Sequence, residues 1–172
     1  MQILKEKSRA KSQITFDEDF NVPDAKPDAG RLIQNKGRII MDDVRLTDGK
    51  GILTGNLQVD ILYVGEERGI VSSLTAKLPF EETLNLKDII NGDKMCLKWE
   101  IEDLTIRLIH SRKLNIKALV TFCATVDETE QIRLPVALDA EEVSVRKKTV
   151  RFLGLTVHKK DTLRIKDEYT IA

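Results

Sequence analysis

The sequence predicts an all-β domain, mostly antiparallel, in the form of a sandwich or barrel-like sheet with two similar halves and one or two short helices. Apolar and polar residues alternate over long stretches, as in strands that bury one face. Asp48-Gly49 separates two such stretches and is a strong hairpin signal. The run 115–122 repeats the run 56–63, which favours two similar halves packed face to face.

The first half of the chain predicts three strands and one helix. Residues 13–22 alternate cleanly, and the prolines that follow them end this strand. Residues 28–36 predict a short helix, because Pro27 suits a first turn and Gly37 can terminate it. Strand structure resumes at 38–47 and pairs with the central strand. The inward residues of that central strand are Leu53, Leu57, Val59, Ile61 and Tyr63.

The second half continues the alternation with some irregularities. Pro79 interrupts an apolar run and argues for an edge strand or a break. Residues 87–91 can form a single helical turn. Apolar residues switch parity within 95–108, which predicts a β-bulge near Glu102-Asp103. The longest clean alternation is 114–126, and 132–157 predict further short strands.

A second repeat suggests how the chain is divided. Residues 12–22 align without gaps with residues 161–171, where the apolar positions are Leu163, Ile165, Tyr169 and Ile171. We therefore expect an N-terminal extension (1–11), one β domain with an internal repeat (12–157), and the start of a following, truncated domain copy (158–172). Unpaired strand 161–171 would favour self-association through the tail.

Charge, hydropathy and cysteine content argue against nucleic-acid-binding, membrane-spanning and disulfide-rich secreted proteins. Basic and acidic residues number 28 each, so the chain has no global bias toward nucleic acid or anionic membrane. No apolar run approaches the roughly 18 residues of a membrane span, and residues 1–11 lack the apolar part of a secretory signal. Two cysteines, Cys96 and Cys123, are too few for a disulfide framework, so we expect a cytoplasmic location and two buried thiols.

One acidic pattern imitates the start of a calcium loop. Asp17, Asp19 and Asn21 alternate and are followed by Asp24 and Asp28. The sixth position of the pattern, where a calcium loop has glycine, is Val22. The solvent-exposed face of a strand explains the spacing better. In the second copy, residues 161–171, the corresponding residues are Lys166, Glu168 and Thr170.

Other reactive residues do not form a recognisable constellation. His110 and His158 lie far apart in sequence and away from the cysteines, and Ser111 lacks the glycines of a nucleophile elbow. Trp99 is on the apolar face of its strand, which favours a core role over a sugar platform. We therefore predict no catalytic, cofactor-binding or metal-ligating residues and no enzymatic activity.

Four stretches, in order, resemble the SPOCS domain family. They are Phe20-Asn21-Val22-Pro23-Asp24-Ala25-Lys26-Pro27-Asp28, residues 55–63, Leu78-Pro79-Phe80, and Ser111-Arg112-Lys113-Leu114-Asn115-Ile116-Lys117. Together they run through most of residues 11–126. Their order makes the resemblance more specific than any one motif.

The resemblance implies a function that composition does not. SPOCS domains occur in tandem, often before a C-terminal LysM module, in proteins that assemble the spore coat. The family implies action in the mother-cell cytoplasm at the forespore surface, bound to a SpoIVA-like spore-coat scaffold protein. That contact is attributed to LysM, and residues 1–172 contain no LysM stretch. We expect a non-enzymatic assembly module. The alternative is a module that binds cell-wall glycan or another ligand.

Overall fold

The computed structural model describes residues 2–67, 69–90 and 93–133, and the isolated residues 144, 146, 148, 149 and 151. Six long strands account for nearly all of this part of the chain, and it contains no helix. The strands are β1 (Gln2–Asn21), β2 (Ala29–Thr47), β3 (Lys50–Gly65), β4 (Val71–Asn85), β5 (Met95–His110) and β6 (Lys113–Gln131).

The strands form two antiparallel sheets of three, in the orders β1-β6-β5 and β2-β3-β4. The all-β prediction is therefore confirmed. The two strands that share the internal repeat, β3 and β6, are the central strands of the two sheets. Their inward residues are fully buried along the predicted alternation, because each central strand has a neighbour on both sides. On β6 these residues are Leu114, Ile116, Ala118, Val120, Phe122, Ala124 and Val126.

The sheets pack face to face, with Phe80 of β4 at the contact. Its ring lies edge-on to Phe16 of β1, with centroids 6.1 Å apart, and is tilted against Phe122 of β6 at 5.2 Å. Gly55, beside Phe80 in the register of β3 and β4, leaves room for this ring. The three rings therefore join strands of both sheets in one core.

The helix predicted for 28–36 is wrong, because these residues form the beginning of β2. The register with β3 shifts between Ala29 and Arg31 and again between Leu32 and Gln34. The first shift leaves Gly30 unpaired, so Ala29 and Leu32 both face the core although they are three positions apart, and the second leaves Ile33 unpaired. A single bulge in a strand thus reproduced the apolar spacing of a helix.

Other local predictions can now be scored. The predicted bulge near Glu102 is confirmed by a register shift between Ile101 and Asp103. Pro79 lies in an edge strand, β4, as its missing donor requires. The helical turn predicted from residue 87 is wrong: residues 87 and 88 form a turn, in which Asp88 has a φ of 57°.

The remaining predictions concern the two ends of the chain. β1 begins at Gln2, so the residues expected to form an extension continue the first strand. Most of 132–157 and all of 158–172 lie outside the described residues, and the predicted tail strand stays a prediction. Contacts divide the chain into Glu6–Glu128 and a second unit of Met1–Lys5 with Thr129–Ala172. The sites below lie in Glu6–Glu128. Within the described ranges, nothing forms a helix able to cross a membrane.

Candidate functional site

Two of the stretches that resemble the SPOCS family meet at one end of the sandwich. The loop 22–28 joins β1 to β2, and the turn Ser111-Arg112 joins β5 to β6. Val22 N donates to the Arg112 carbonyl at 2.9 Å, and Ala29 N donates to the Ser111 carbonyl at 2.7 Å. The turn therefore holds the loop at both of its ends. We call this arrangement the Arg112 clasp.

The Arg112 guanidinium forms hydrogen bonds with three residues of the loop. Nη1 donates to the Lys26 carbonyl at 2.8 Å and to Asp28 Oδ1 at 2.9 Å, and Nη2 donates to Asp24 Oδ1 at 2.9 Å. The hydrogen bond to Asp28, with a smaller contribution from Asp24, raises the pKa of Arg112. Planar donors in a fixed fork suit this task better than a lysine ammonium does. Arg112 thus fixes the loop at three points.

Tyr63, at the end of β3, anchors the loop from the core. Its ring is fully buried, and its hydroxyl donates to the Pro27 carbonyl at 2.8 Å. Lys26 N donates to the Pro23 carbonyl at 2.9 Å, which closes a turn. The side chains at positions 23, 24 and 25 remain exposed at its tip. Two prolines and these anchors leave the tip little freedom to rearrange.

We expect Tyr63→Phe to destabilise the protein by about 0.5–1.5 kcal/mol, because the hydrogen bond to the carbonyl of half-buried Pro27 would be lost. The ring would keep its packing, so the loss would come from the hydroxyl. Chemical denaturation measures the change. Thr15→Val, which removes a hydroxyl from the exposed face of β1, is the matched control. An equal effect in both variants would contradict the anchoring role.

The acidic residues that imitated a calcium loop lie along the β1–β6 pair. Asp17 accepts from Lys117 Nζ at 2.8 Å and Asp19 from Lys113 Nζ at 2.8 Å. Asn115 Nδ2 donates to both carboxylates, at 2.9 and 3.0 Å. These hydrogen bonds, those from the lysines first, lower the pKa of each carboxyl. This cross-strand ladder agrees with the interpretation of these residues as the solvent-exposed face of a strand. Asp24 and Asp28 belong to the clasp instead.

Lowered carboxyl pKa values predict acid sensitivity. Asp17, Asp19, Asp60 and Asp93 all have a pKa below the ordinary value of 3.8. Their contribution to stability is complete above the unfolded pKa and is lost as pH falls through the lower folded values. We therefore expect the unfolding midpoint in urea to fall from about pH 4 downward. The double variant Asp17→Asn, Asp19→Asn should show a shallower fall, and an unchanged pH profile would contradict this account.

The structure also places the other residues considered from sequence. His110 lies at the β5–β6 turn, where its Nδ1 accepts from Arg112 N at 3.2 Å, and Ser111 Oγ donates to Asp28 at 3.4 Å. Cys96 and Cys123 are free and half-buried on the outward side of their sheet, so the prediction of buried thiols is wrong. His158 lies outside the described residues. Within those residues, no group of three His, Cys, Asp or Glu is placed to hold a metal ion.

Trp99 is more exposed than its predicted core role requires. It pairs with Phe122 and so faces the core side of its sheet, as predicted, but it is 40% exposed. β5 is an edge strand, so its side chains have a neighbouring strand on one side only. Trp99 therefore points toward the core, as the alternation predicts, but is not buried.

The clasp borders an acidic cleft of about 300 Å³, lined by Pro27, Asp28, Glu66 and Glu67. Glu66 N donates to the Asp28 carbonyl at 2.9 Å and so joins the β3–β4 turn to the clasp. Asp24 lies fully exposed at the loop tip. Sequence reasoning did not connect these residues. The one signal was that Asp24, Asp28 and Arg112 all lie in stretches that resemble the family.

Taken together, the fold and this end of the molecule define a two-sheet β domain with a pinned loop that carries exposed acidic side chains. Comparison with known proteins identifies a related family. The family model described as "SipL, SPOCS domain" matches residues 28–109, from just before β2 to near the end of β5. This match confirms the resemblance to the SPOCS domain family for residues 28–109. Searches of curated proteins and of solved structures returned no significant match.

Proposed function

We propose that this domain is a non-enzymatic assembly module of a spore-coat morphogenesis protein. The match of residues 28–109 to the SPOCS domain model supports a sporulation-associated role. The observation that carries the proposal further is the Arg112 clasp. Charged groups at this end hold a loop in place, and the loop tip is left free for contact. Preorganised loops lose little entropy on binding, which suits a docking surface.

The charge of the clasp end indicates the kind of partner. Asp24, Asp28, Glu66 and Glu67 surround the loop and the cleft. A partner that docks here would present basic side chains, and its association would weaken at high salt. We propose a SpoIVA-like coat scaffold protein, met in the mother-cell cytoplasm at the forespore surface. A LysM module elsewhere in the full-length protein would add a second point of attachment.

Affinity capture of the full-length protein from sporulating cells tests the proposal. We expect recovery of coat scaffold protein with the wild type and a strong reduction with the double variant Glu66→Gln, Glu67→Lys. Both side chains are exposed and neither takes part in the clasp, so the clasp and the fold should persist. Glu81→Lys, on the exposed face of β4, is the control and should capture normally. No coat protein with the wild type would overturn the function, and equal capture by all variants would overturn the docking surface.

Exposed Trp99 favours a second candidate, binding of cell-wall glycan, because sugars stack on exposed aromatic rings. Tyr63, the one tyrosine among the described residues, is fully buried and cannot extend such a platform. We therefore rank this function second. Titration calorimetry of the 172-residue chain with peptidoglycan fragments separates the two: saturable binding that Trp99→Ala abolishes would favour the glycan module.

A further inference from the structure

The sandwich is closed along one side and open along the other. On the closed side, the inward residues of β4 are buried, with Leu74, Ala76 and Leu84 at most 5% exposed. On the open side, the edge strands β2 and β5 face each other across the core, and the inward residues of β5 are all half-buried or exposed. They are Met95, Leu97, Trp99, Ile101, Leu104, Ile106 and Leu108. We call this side the β2–β5 seam.

The two strands of the seam approach closely in its middle. A Cβ placed on Gly37 of β2 would lie 2.9 Å from Leu104 Cδ2 and 3.2 Å from Ile101 Cδ1, so the strands approach closely there. Large apolar side chains are exposed elsewhere along these strands. Val44 and Trp99 lie on the core side and are 42% and 40% exposed. Ile33 and Ile109 occupy bulges of the two strands and are 48% and 52% exposed.

Bulges prevent the seam from accepting a regular added strand. Register shifts interrupt β2 at three places and β5 at two. Bulges break the row of free donors and acceptors on which strand addition depends. By contrast, the register of β3 with β4 is continuous. A partner at the seam must therefore pack against side chains.

The charges beside the seam identify the partner. β2 carries four basic and two acidic side chains, and β5 carries two basic and three acidic ones. At the level of Gly37, β2 carries Lys36 and Arg38, whereas β5 carries Glu100, Glu102 and Asp103. Arg38 pairs with Asp60, and Glu102 accepts hydrogen bonds from Gln13 and Thr121, so Lys36 and Glu100 are the charges that a second copy can meet. A two-fold axis along the seam would place β2 of one copy beside β5 of another, with residues at the same level. Basic and acidic rims would then meet twice, as an isologous interface requires.

We propose that the β2–β5 seam is the interface of a homodimer. Trp99 of β5 and Val44 of β2, which face the core side of their sheets and are exposed, contribute its apolar surface, and the Lys36 and Glu100 rims set its orientation. The second copy covers apolar surface that the single chain leaves in water. This interface differs from self-association through the tail and does not depend on the proposed sporulation function.

Sedimentation velocity of the 172-residue chain over a dilution series tests the proposal. We expect a reversible dimer, and the fluorescence of Trp99, the only tryptophan, should shift to the blue as dimer forms. Lys36→Glu and Glu100→Lys, made singly, should each weaken the dimer at least about tenfold. The double variant should restore it, because the rims would again be complementary. Lys77→Glu, on the exposed face of β4, is the control for a change of charge.

Circular dichroism confirms that each variant remains folded before its association is compared. A chain that is monomeric at every concentration would overturn the proposal. So would a dimer that both single variants leave intact. A dimer that is lost on deletion of residues 161–172, but kept by the rim variants, would also overturn it and would favour the tail.

Discussion

Replacing Phe80 with alanine should lower the free energy of unfolding by about 3–5 kcal/mol. Phe80 is 8% exposed and lies between Phe16 of β1 and Phe122 of β6, so its ring joins one sheet to the other. Removing it would leave a cavity at the contact between the sheets. The backbone around it belongs to long paired strands, which can collapse little into the space.

Urea denaturation followed by circular dichroism measures this loss. Glu81→Ala is the matched control, because the neighbouring side chain is exposed on the outward face of the same strand. Its effect should stay within about 0.5 kcal/mol. A loss below 1 kcal/mol for Phe80→Ala would mean that the sheets do not share one core at this point.

Gly55→Val should destabilise the protein at least as much as Phe80→Ala does. The reason differs, because this substitution adds atoms to a filled space instead of leaving a cavity. A Cβ at position 55 would lie 2.4 Å from the Ile40 carbonyl oxygen and 2.9 Å from Phe80 Cζ. One of these obstacles is backbone, so the side chain cannot be accommodated by a rotamer change alone. Overpacking typically costs about 1–3 kcal/mol, and a forced shift of β2 against β3 should take the cost beyond that range.

Thr54→Val is the control for this variant. Thr54 precedes Gly55 on the same strand and is half-buried on the opposite face, where a β-branched residue already stands. We expect the control to express and melt like the wild type, whereas Gly55→Val should lose most of its soluble yield. Equal stability of the two variants would show that β2, β3 and β4 do not approach closely at Gly55.

The central strands could be predicted from sequence and the edge strands only in part. β3 and β6 are covered on both sides and alternate without interruption, so polarity alone located them. The bulge at Glu102 was also visible, because one inserted residue reverses the parity of every inward position after it. The start of β2 was missed because the bulge at Gly30 placed Ala29 and Leu32 at helical spacing.

Burial at the sheet edges could not be predicted for a different reason. Alternation shows which way a side chain points, whereas exposure depends on whether a neighbour covers it. Trp99 points inward and remains 40% exposed because it lies on an edge strand beside an open seam. The N-terminal part of β1 was missed as well, since residues 3–11 are mostly polar although they continue the strand.

The Arg112 clasp depends on contacts between residues more than eighty positions apart. Such pairs are set by the order of the strands and by their register, neither of which the local pattern contains. Sequence did indicate that the loop and the turn mattered, because both lie in stretches that resemble the SPOCS family. It did not indicate that they touch.

Site-specific photocrosslinking in sporulating cells tests the central claim most directly. A photoreactive residue would replace Ala25 at the exposed tip of the clasped loop in the full-length protein, and Glu81 on β4 in the control. Our account predicts that the Ala25 position captures a coat scaffold protein and that the Glu81 position captures much less. Capture of no coat protein from the loop tip, or equal capture from both positions, would contradict the account.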